Sequence, residues 1–574
     1  MRPWFERDAA LLEREIEALE AAGVAVEVDE GAREAGVLRL LLVYPDNPPV
    51  KLVATYPDFF PFFRPEVRSA DLKLGRHQNP IGGNLCLIGR RTSRWYAEET
   101  LADILKLQMP HLLDYARTGD AEPLAEVEEP QGEPASEYYN SDSPVGSYLL
   151  FDGRWSIPAQ VQEGSFSARC RLLPHDGALP LKIQGYVAEI RSSDGKALAR
   201  WEGKPLEGFP ETVRGRWLRR AAPILGDINL FKEELGEQWD WLMDEARWPP
   251  RRHVALGAVL FPEEVQHQEF GDGWAVMQWV GSRRKKGLPR SITGSFVRAA
   301  RAGPTDLAAR MPAAATLSDT SVIFFGLGAI GAPAAIELAR AGLGKLTLVD
   351  HDIVEPATVR RWAYGLTAFG EKKVSVIKER LAAEYPWTAI QIEEIRIGAA
   401  VDPGVAQRQG ERMEQLIEGQ HLMIDCTAEM GVNHFLSEFA RVRGLPYLIA
   451  NATPGAWGGI VARFEPASPC WMCFRHALYG DSGAALPPAD PQGEVQPPGC
   501  AEPTFTGSSF DLTEISLELV RVAAGLLGGN DGYPRNDWDA AVLHLRDNAG
   551  RRVPPHWEPI TIPRRRECTC ADSR

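Results

Sequence analysis

Where an apolar run hands over to a stretch of helical periodicity, the chain reads SVIFFGLGAIGAPAAIELARAG, placing Gly326, Gly328 and Gly331 at the junction. Glycines there remove the side chains that would keep a phosphate from the backbone N–H groups opening the helix. That arrangement belongs to a Rossmann-like, mostly parallel α/β unit. The next apolar run, KLTLVD, ends at Asp350, nineteen residues after Gly331. A carboxylate at that distance suits the ribose of a dinucleotide as well as ATP. The glycines alone leave both ligands open.

A chain of 574 residues exceeds what one hydrophobic core supports. Residues 1–125 alternate helical and strand-like runs and predict a compact α+β domain. Residues 126–144, rich in Pro, Glu, Ser and Gly, predict a linker. Residues 145–304 hold short strand-like segments and one helical stretch, a β-rich middle domain. From 305 to 574 strands alternate with amphipathic helices. The fold class is thus multidomain α/β. A net charge of −15 gives no electrostatic reason to expect nucleic acid or an anionic membrane as partner. The beginning lacks a signal-peptide pattern and no run could span a bilayer, so a cytoplasmic location is expected. Eight cysteines in a reducing compartment are filler, metal ligands or nucleophiles, and five fall in the last fifth of the chain.

The stretch after the glycine motif separates the two ligands. VDHDIVEPATVRRWAYGLTAFGEKKVSVIKERL resembles the adenylating ThiF family, which includes ubiquitin-activating enzymes and the activators of thiamine and molybdenum-cofactor synthesis. The matches are Asp350, Asp352, Arg361, Gly370 and Lys373. Adenylation needs a carboxylate for ribose or Mg²⁺ and cations for the triphosphate, whereas hydride transfer needs no such cations. Thr358 and Trp362 stand where the family has Asn and often Gln. In LMIDCTAEMG the family's second Asp is replaced by Ala428, leaving Asp425, or else Glu429, to supply the Mg²⁺ carboxylate, unless Asp425 only caps the next helix.

The resemblance also implies a structural Zn²⁺ site, for which Cys470, Cys473, Cys568 and Cys570 supply four thiolates. It implies a thioester-forming cysteine on a segment before the terminal helix, and Cys500 stands there. Near the start, ATYPDFFPFFRPEV and RHQNPIGGNLCLIGRRTSRW resemble ubiquitin-conjugating enzymes: Pro57, Pro61, Phe62 and Pro65, then His77 and Asn79, then Cys86 and Trp95. Gln78 replaces that family's Pro. The resemblance makes Cys86 a thioester carrier, Asn79 a stabiliser of the oxyanion or its loop, and His77 structural.

Together the two modules resemble the fused activating and conjugating enzymes of bacterial anti-phage CBASS operons. That implies activation of a protein C-terminus, either a nucleotidyltransferase or a ubiquitin-like protein, by ATP and Mg²⁺. Transfer then runs through Cys500 and Cys86 to a target amine, in a homodimer without membrane or direct nucleic-acid contact. A sulfur-carrier activator and a non-catalytic scaffold are the alternatives.

Overall fold

A computed structural model of the chain describes residues 2–87, 95–118, 132–139, 145–175, 178–201, 206, 208–243, 254–266, 269–281, 292–399, 408–480, 486–496, 504–568 and 570. The chain divides into two units, Met1–Trp201 with Phe209–Gly303, and Glu202–Gly208 with Pro304–Arg574.

In the first unit, after a single helical turn at Trp4–Arg7, comes helix α1 (Ala9–Ala21), opened by the Asp8 carboxylate accepting from Leu11 N at 3.1 Å. An antiparallel meander follows, in spatial order β1 (Ala25–Val28), β2 (Arg39–Tyr44), β3 (Val50–Thr55) and β4 (Glu66–Arg68). Helix α2 (Leu101–Thr118) then packs beside α1. Glu15 of α1 is buried and ties all three parts, accepting from Tyr56 Oη at 3.0 Å and Leu101 N at 3.1 Å. Burial raises its pKa above the ordinary carboxylate value, against the pull of those two bonds.

The second part of this unit is an eight-stranded sheet, β5 (Tyr148–Phe151), β6 (Glu163–His175), β7 (Ala178–Ser192), β8 (Ala197–Arg200), β9 (Glu211–Arg219), β10 (Val254–Gln266), β11 (Glu269–Gly281) and β12 (Ile292–Arg301). Strand β5 pairs with β12 on one side and β7 on the other, so the sheet closes into a barrel. Phe166, Ala168, Cys170, Trp217, Trp274 and Val276 fill it. Outside, helices α3 (Ile228–Leu235) and α4 (Glu237–Met243) press Phe231, Leu235 and Trp239 onto β10 to β12.

The segment read as a linker is partly built into this unit. Residues 132–139 form a turn in which Ser136 N and Oγ donate to the buried Glu263 at 2.8 and 2.9 Å, and Tyr139 inserts its ring among Phe231, Phe261 and Phe296. The acidic, proline-rich composition hid the part of Tyr139, whose burial holds the turn, beside half-buried Tyr138, whose hydroxyl donates to Glu133. Arg76, from the first part, meets Glu264 at 2.6 Å with both side chains 14% exposed.

In the second unit, β13 (Ser321–Phe325), β14 (Lys345–Val349), β15 (Ala389–Glu393), β16 (Leu422–Asp425), β17 (Tyr447–Ala452), β18 (Gly458–Phe464), β21 (Ala540–Arg546) and β22 (Arg552–Ile560) form one sheet in the order β15-β14-β13-β16-β17-β18-β21-β22; the short β19 (Glu494–Val495) and β20 (Thr504–Phe505) pair apart from it. The first five in that order run parallel, the rest antiparallel. Alternation along β13 sends Val322 and Phe324 to one core and Ile323 and Phe325 to another, so both faces are covered. Helices α5 (Gly331–Arg340), α6 (Lys373–Glu384) and α9 (Ser509–Leu527) lie on the first side; α7 (Met430–Val442) and α8 (Trp471–Tyr479) on the second. The chain runs outward from β13 through β14 to β15 and returns to β16 on the other side. The carboxyl ends of β13 and β16 therefore flank a topological switch point, where open α/β sheets bind ligands.

Candidate active site

The predicted nucleotide motif lies at that switch point, and its three glycines have different reasons to be there. Gly326 has φ +81° and faces the β16 exit, where a Cβ would lie 2.7 Å from Thr427 N. At Gly331 a Cβ would lie 2.0 Å from Gly326 O, so the first turn of α5 can close on the loop only without a side chain. Gly328 faces open space with nothing within 4 Å. No protein atom requires its missing side chain, which leaves room for a phosphate at the helix entrance.

Asp350, at the end of β14, is buried and accepts from Leu327 N at 2.6 Å and Asp352 N at 2.8 Å. Its carboxylate clamps the glycine loop to the next turn. Asp352 is exposed and pairs with Lys373 at 2.7 Å, while Lys373 N donates to Asp352 O at 3.1 Å. Burial pushes the Asp352 carboxyl up, but the bond and charge of Lys373 outweigh it and hold it below the ordinary value. Trp362, noted in the sequence only as a departure, supports the loop from the other side by donating Nε1–H to Leu327 O at 2.7 Å. An indole offers one directed donor on a large apolar body, a role that composition does not reveal.

Arg361 does not join the carboxylates. Its guanidinium donates to Thr504 Oγ1 at 2.9 Å and to Phe505 O, and lies 5.2 Å over the Phe505 ring. Burial among these neutral groups lowers its pKa from the usual guanidinium value. Strand β20 pairs with β19 across the intervening stretch, with Val495 opposite Thr504. Cys500 lies outside the described residues.

Asp425 differs from its expected place facing a metal. It is fully buried, with Oδ1 accepting from Thr427 N at 2.8 Å and Thr427 Oγ1 at 2.7 Å, and Oδ2 accepting from Asn433 Nδ2 and Tyr447 Oη, both at 2.8 Å. Four donors use both oxygens, and burial nonetheless raises the carboxyl above its ordinary pKa. Asp425 therefore shapes the turn at the end of β16. Ala428 follows with φ +59°, and Glu429, exposed, stands at the N-cap position of α7 with no side-chain capping bond. Asn433 and Tyr447, which complete this network, carry no motif in the sequence.

The four late cysteines come together although up to 100 residues of chain separate them: Cys470 and Cys568 Sγ are 3.3 Å apart, Cys473 and Cys570 3.6 Å, and all four sulfurs lie within 4.8 Å of one another. Tetrahedral Zn²⁺ with Zn–S near 2.3 Å needs sulfurs about 3.8 Å apart, so the donor set fits that ion. Burial pushes the Cys470 and Cys473 thiols up, a cost that a divalent cation offsets by stabilising thiolates. Cys170, by contrast, is barrel filler whose thiol burial pushes up to about 12.

In the first unit, Cys86 is exposed at the end of a short hairpin: Cys86 N donates to His77 O at 2.8 Å, and Gln78 bridges to Leu85. Cross-strand alternation puts Asn79, Asn84 and Cys86 on the face opposite the buried Gln78 and Leu85. Asn79 Oδ1 accepts from Ile81 N at 2.9 Å and Gly82 N at 2.7 Å, holding the loop. Gln78 Oε1 accepts from Leu74 N, and its Nε2 donates to Ser69 O, both at 2.9 Å. Trp95 Nε1 donates to Pro61 O at 2.7 Å.

Residues 306–512 match the model of the ThiF family. The chain is 31% identical to protein y4oA of Sinorhizobium fredii (strain NBRC 101917 / NGR234), covering 100% of this chain and 98% of that protein. It is 34% identical to y4qC of the same organism, covering 96% and 94%. A shorter match, 30% identical, covers 29% of this chain and 62% of the molybdopterin-synthase adenylyltransferase of Salmonella typhimurium (strain LT2). With its glycine loop, acidic β14 exit and basic α6 entrance placed at one switch point, this multidomain α/β chain belongs to the family of y4oA and y4qC and carries a ThiF-family adenylyltransferase domain in its C-terminal region.

Proposed function

We propose that the chain activates the C-terminal carboxylate of a protein with ATP and passes it, as a thioester, to an amine. The observation that carries this reading is the open space at Gly328 beside the Asp352–Lys373 pair. A carboxylate oxygen attacks the α-phosphorus, pyrophosphate leaves, and an acyl adenylate forms. Lys373 and Arg361 offset charge on the phosphates; Arg361 gives up its neutral partners on β20 to do so. Mg²⁺ supplies charge neutralisation when bound, and Glu429, rather than Asp425, offers it a carboxylate at the β16 exit. The thiolate of Cys500 then attacks the acyl carbon and expels AMP. Exchange with Cys86 moves the acyl group to the second thiol, and an amine takes it as an amide while the thiol is released. The ordered face carrying Asn79 and Cys86 supports that last station, as does the resemblance of residues 56–95 to conjugating enzymes. Pairing with a ubiquitin-like or nucleotidyltransferase partner, action in anti-phage defence, a structural Zn²⁺ on the four cysteines and homodimerisation belong to the same proposal.

The test is exchange of labelled pyrophosphate into ATP by the full chain, with candidate proteins encoded beside it added one at a time. Partner-dependent exchange, and a thiol-reducible adduct that Cys500→Ala abolishes on both modules, is the expected result. Exchange without any adduct would instead favour the sulfur-carrier alternative.

A further inference from the structure

The barrel's outer wall is unevenly covered. Helices α3 and α4 lie mainly on its β10 to β12 side, and α4 reaches Arg216 of β9, which donates to Trp241 O and lies 4.6 Å over the Trp241 ring; on the wall made by β6 and the rest of β9, Arg171 and Arg214 are exposed and Arg169 is half-buried. Phe166, Ala168 and Cys170 of β6 and Val213 and Trp217 of β9 point into the barrel, so the alternate residues Ser165, Ser167, Arg169 and Arg171, with Thr212, Arg214 and Arg216, point out. The register sets Ser165 opposite Arg216, Ser167 opposite Arg214 and Arg169 opposite Thr212, so the cations zigzag across two strands with hydroxyls between them.

Arg191 and Arg200 nearby are already matched by Glu189 at 2.7 and 2.6 Å. Arg169, Arg171 and Arg214 are not: among the described residues none of the three forms an ion pair. The partners of the first two are neutral, Thr212 Oγ1 at 3.2 Å for Arg169 and Gln184 Oε1 at 2.6 Å for Arg171. Arg171 also lies 6.0 Å over the ring of Phe209. In a chain of net charge −15, leaving three adjacent guanidinium groups without carboxylates sacrifices easily available stabilisation. An external polyanion would recover it.

We infer that this face binds a single-stranded nucleic acid through its phosphates. The three cations are all arginine, whose planar fork matches phosphate oxygens. Residues two apart on a strand are about 7 Å apart, a step comparable to that between phosphates of an extended strand. Ser165, Ser167 and Thr212 add hydroxyl donors, and Phe209 offers a ring on which a base can stack. The whole-chain charge averages this strip away, which is why net charge alone argues against such a partner.

The experiment uses the full chain and fluorescein-labelled oligouridine and oligothymidine of about 16 nucleotides, followed by anisotropy across a salt series. Wild type should bind, and an Arg169→Gln, Arg171→Gln, Arg214→Gln triple variant should bind at least tenfold more weakly, with a log–log salt slope shallower by about 2, from ~0.7 per phosphate contact. Arg200→Gln, at a cation already paired, should bind as wild type does, and thermal unfolding should show that both variants are folded. Absence of wild-type binding overturns the inference, as does an equal loss in Arg200→Gln or an unaffected triple variant. Displacement by polyglutamate as effective as that by unlabelled oligonucleotide of equal charge also overturns it, reassigning the face to an acidic polypeptide.

Discussion

The nucleotide loop and the Cys86 hairpin are both short motif-bearing loops, yet they are held in shape by different means. In the first the constraint is backbone against backbone: a Cβ on Gly331 would sit 2.0 Å from Gly326 O, and one on Gly326 would sit 2.7 Å from Thr427 N. No other residue satisfies that geometry, so the spacing survives as a readable signature. In the second the constraint is side chain to backbone: Asn79 holds Ile81 and Gly82, and Gln78 holds Leu74 and Ser69. Different side chains can supply such bonds, as the amide oxygens of Asn79 and Gln78 both do here. A site held by sterics leaves a sharper trace in sequence than one held by exchangeable hydrogen bonds.

The most severe test of this contrast is a third kind of site, in which every donor must be the same atom. Four thiolates around one cation predict about one Zn²⁺ per chain, measured by elemental analysis. Cys470→Ser or Cys568→Ser should lose the metal and lower the unfolding temperature by about ten degrees or more, because metal affinity is folding free energy. A folded, metal-free wild type would remove the cluster from the comparison.

Gly331→Val comes next. With no flexible neighbour to yield, overpacking should cost roughly 3 kcal/mol, and calorimetric ATP binding should fall at least a hundredfold. Gly328→Ala is its control, since the site is open: stability should stay within ~0.5 kcal/mol of wild type while ATP binding weakens. Equal behaviour of the two variants would break the distinction between packing glycine and ligand-facing glycine.

At the β16 exit two carboxylates divide the work. Asp425→Ala strands the Tyr447, Asn433 and Thr427 donors and should destabilise by about 3 kcal/mol in denaturant unfolding. Glu429→Gln should leave stability unchanged and weaken the Mg²⁺ dependence of ATP binding. The opposite pattern would return the metal-facing role to Asp425.

The smallest effects belong to the hairpin. Asn79→Ala should cost about 1 kcal/mol. Arg76 and Glu264, an almost buried pair just before the hairpin, should show a coupling of ~1–2 kcal/mol in a double-mutant cycle. The charge-reversed Arg76→Glu, Glu264→Arg pair should recover part of it. Absence of coupling would mean that the hairpin is held by Asn79 and Gln78 alone.

Sequence by itself determined the parallel α/β unit and the place of its glycine loop, because these rest on periodicity and on glycine; that Asp352 pairs with Lys373 was decided by the fold. Sequence also singled out the four cysteines, whose spacing within each pair is local. What it left open was decided by contacts between distant segments. Tyr139 docks residues 132–139 onto Phe231 and Phe296, and Tyr447 and Asn433 both donate to Oδ2 of Asp425. Arg361 is drawn to Thr504, 143 residues away, instead of to its neighbours. A buried polar group takes whichever partners the packed core brings within reach, and only the tertiary structure decides which those are.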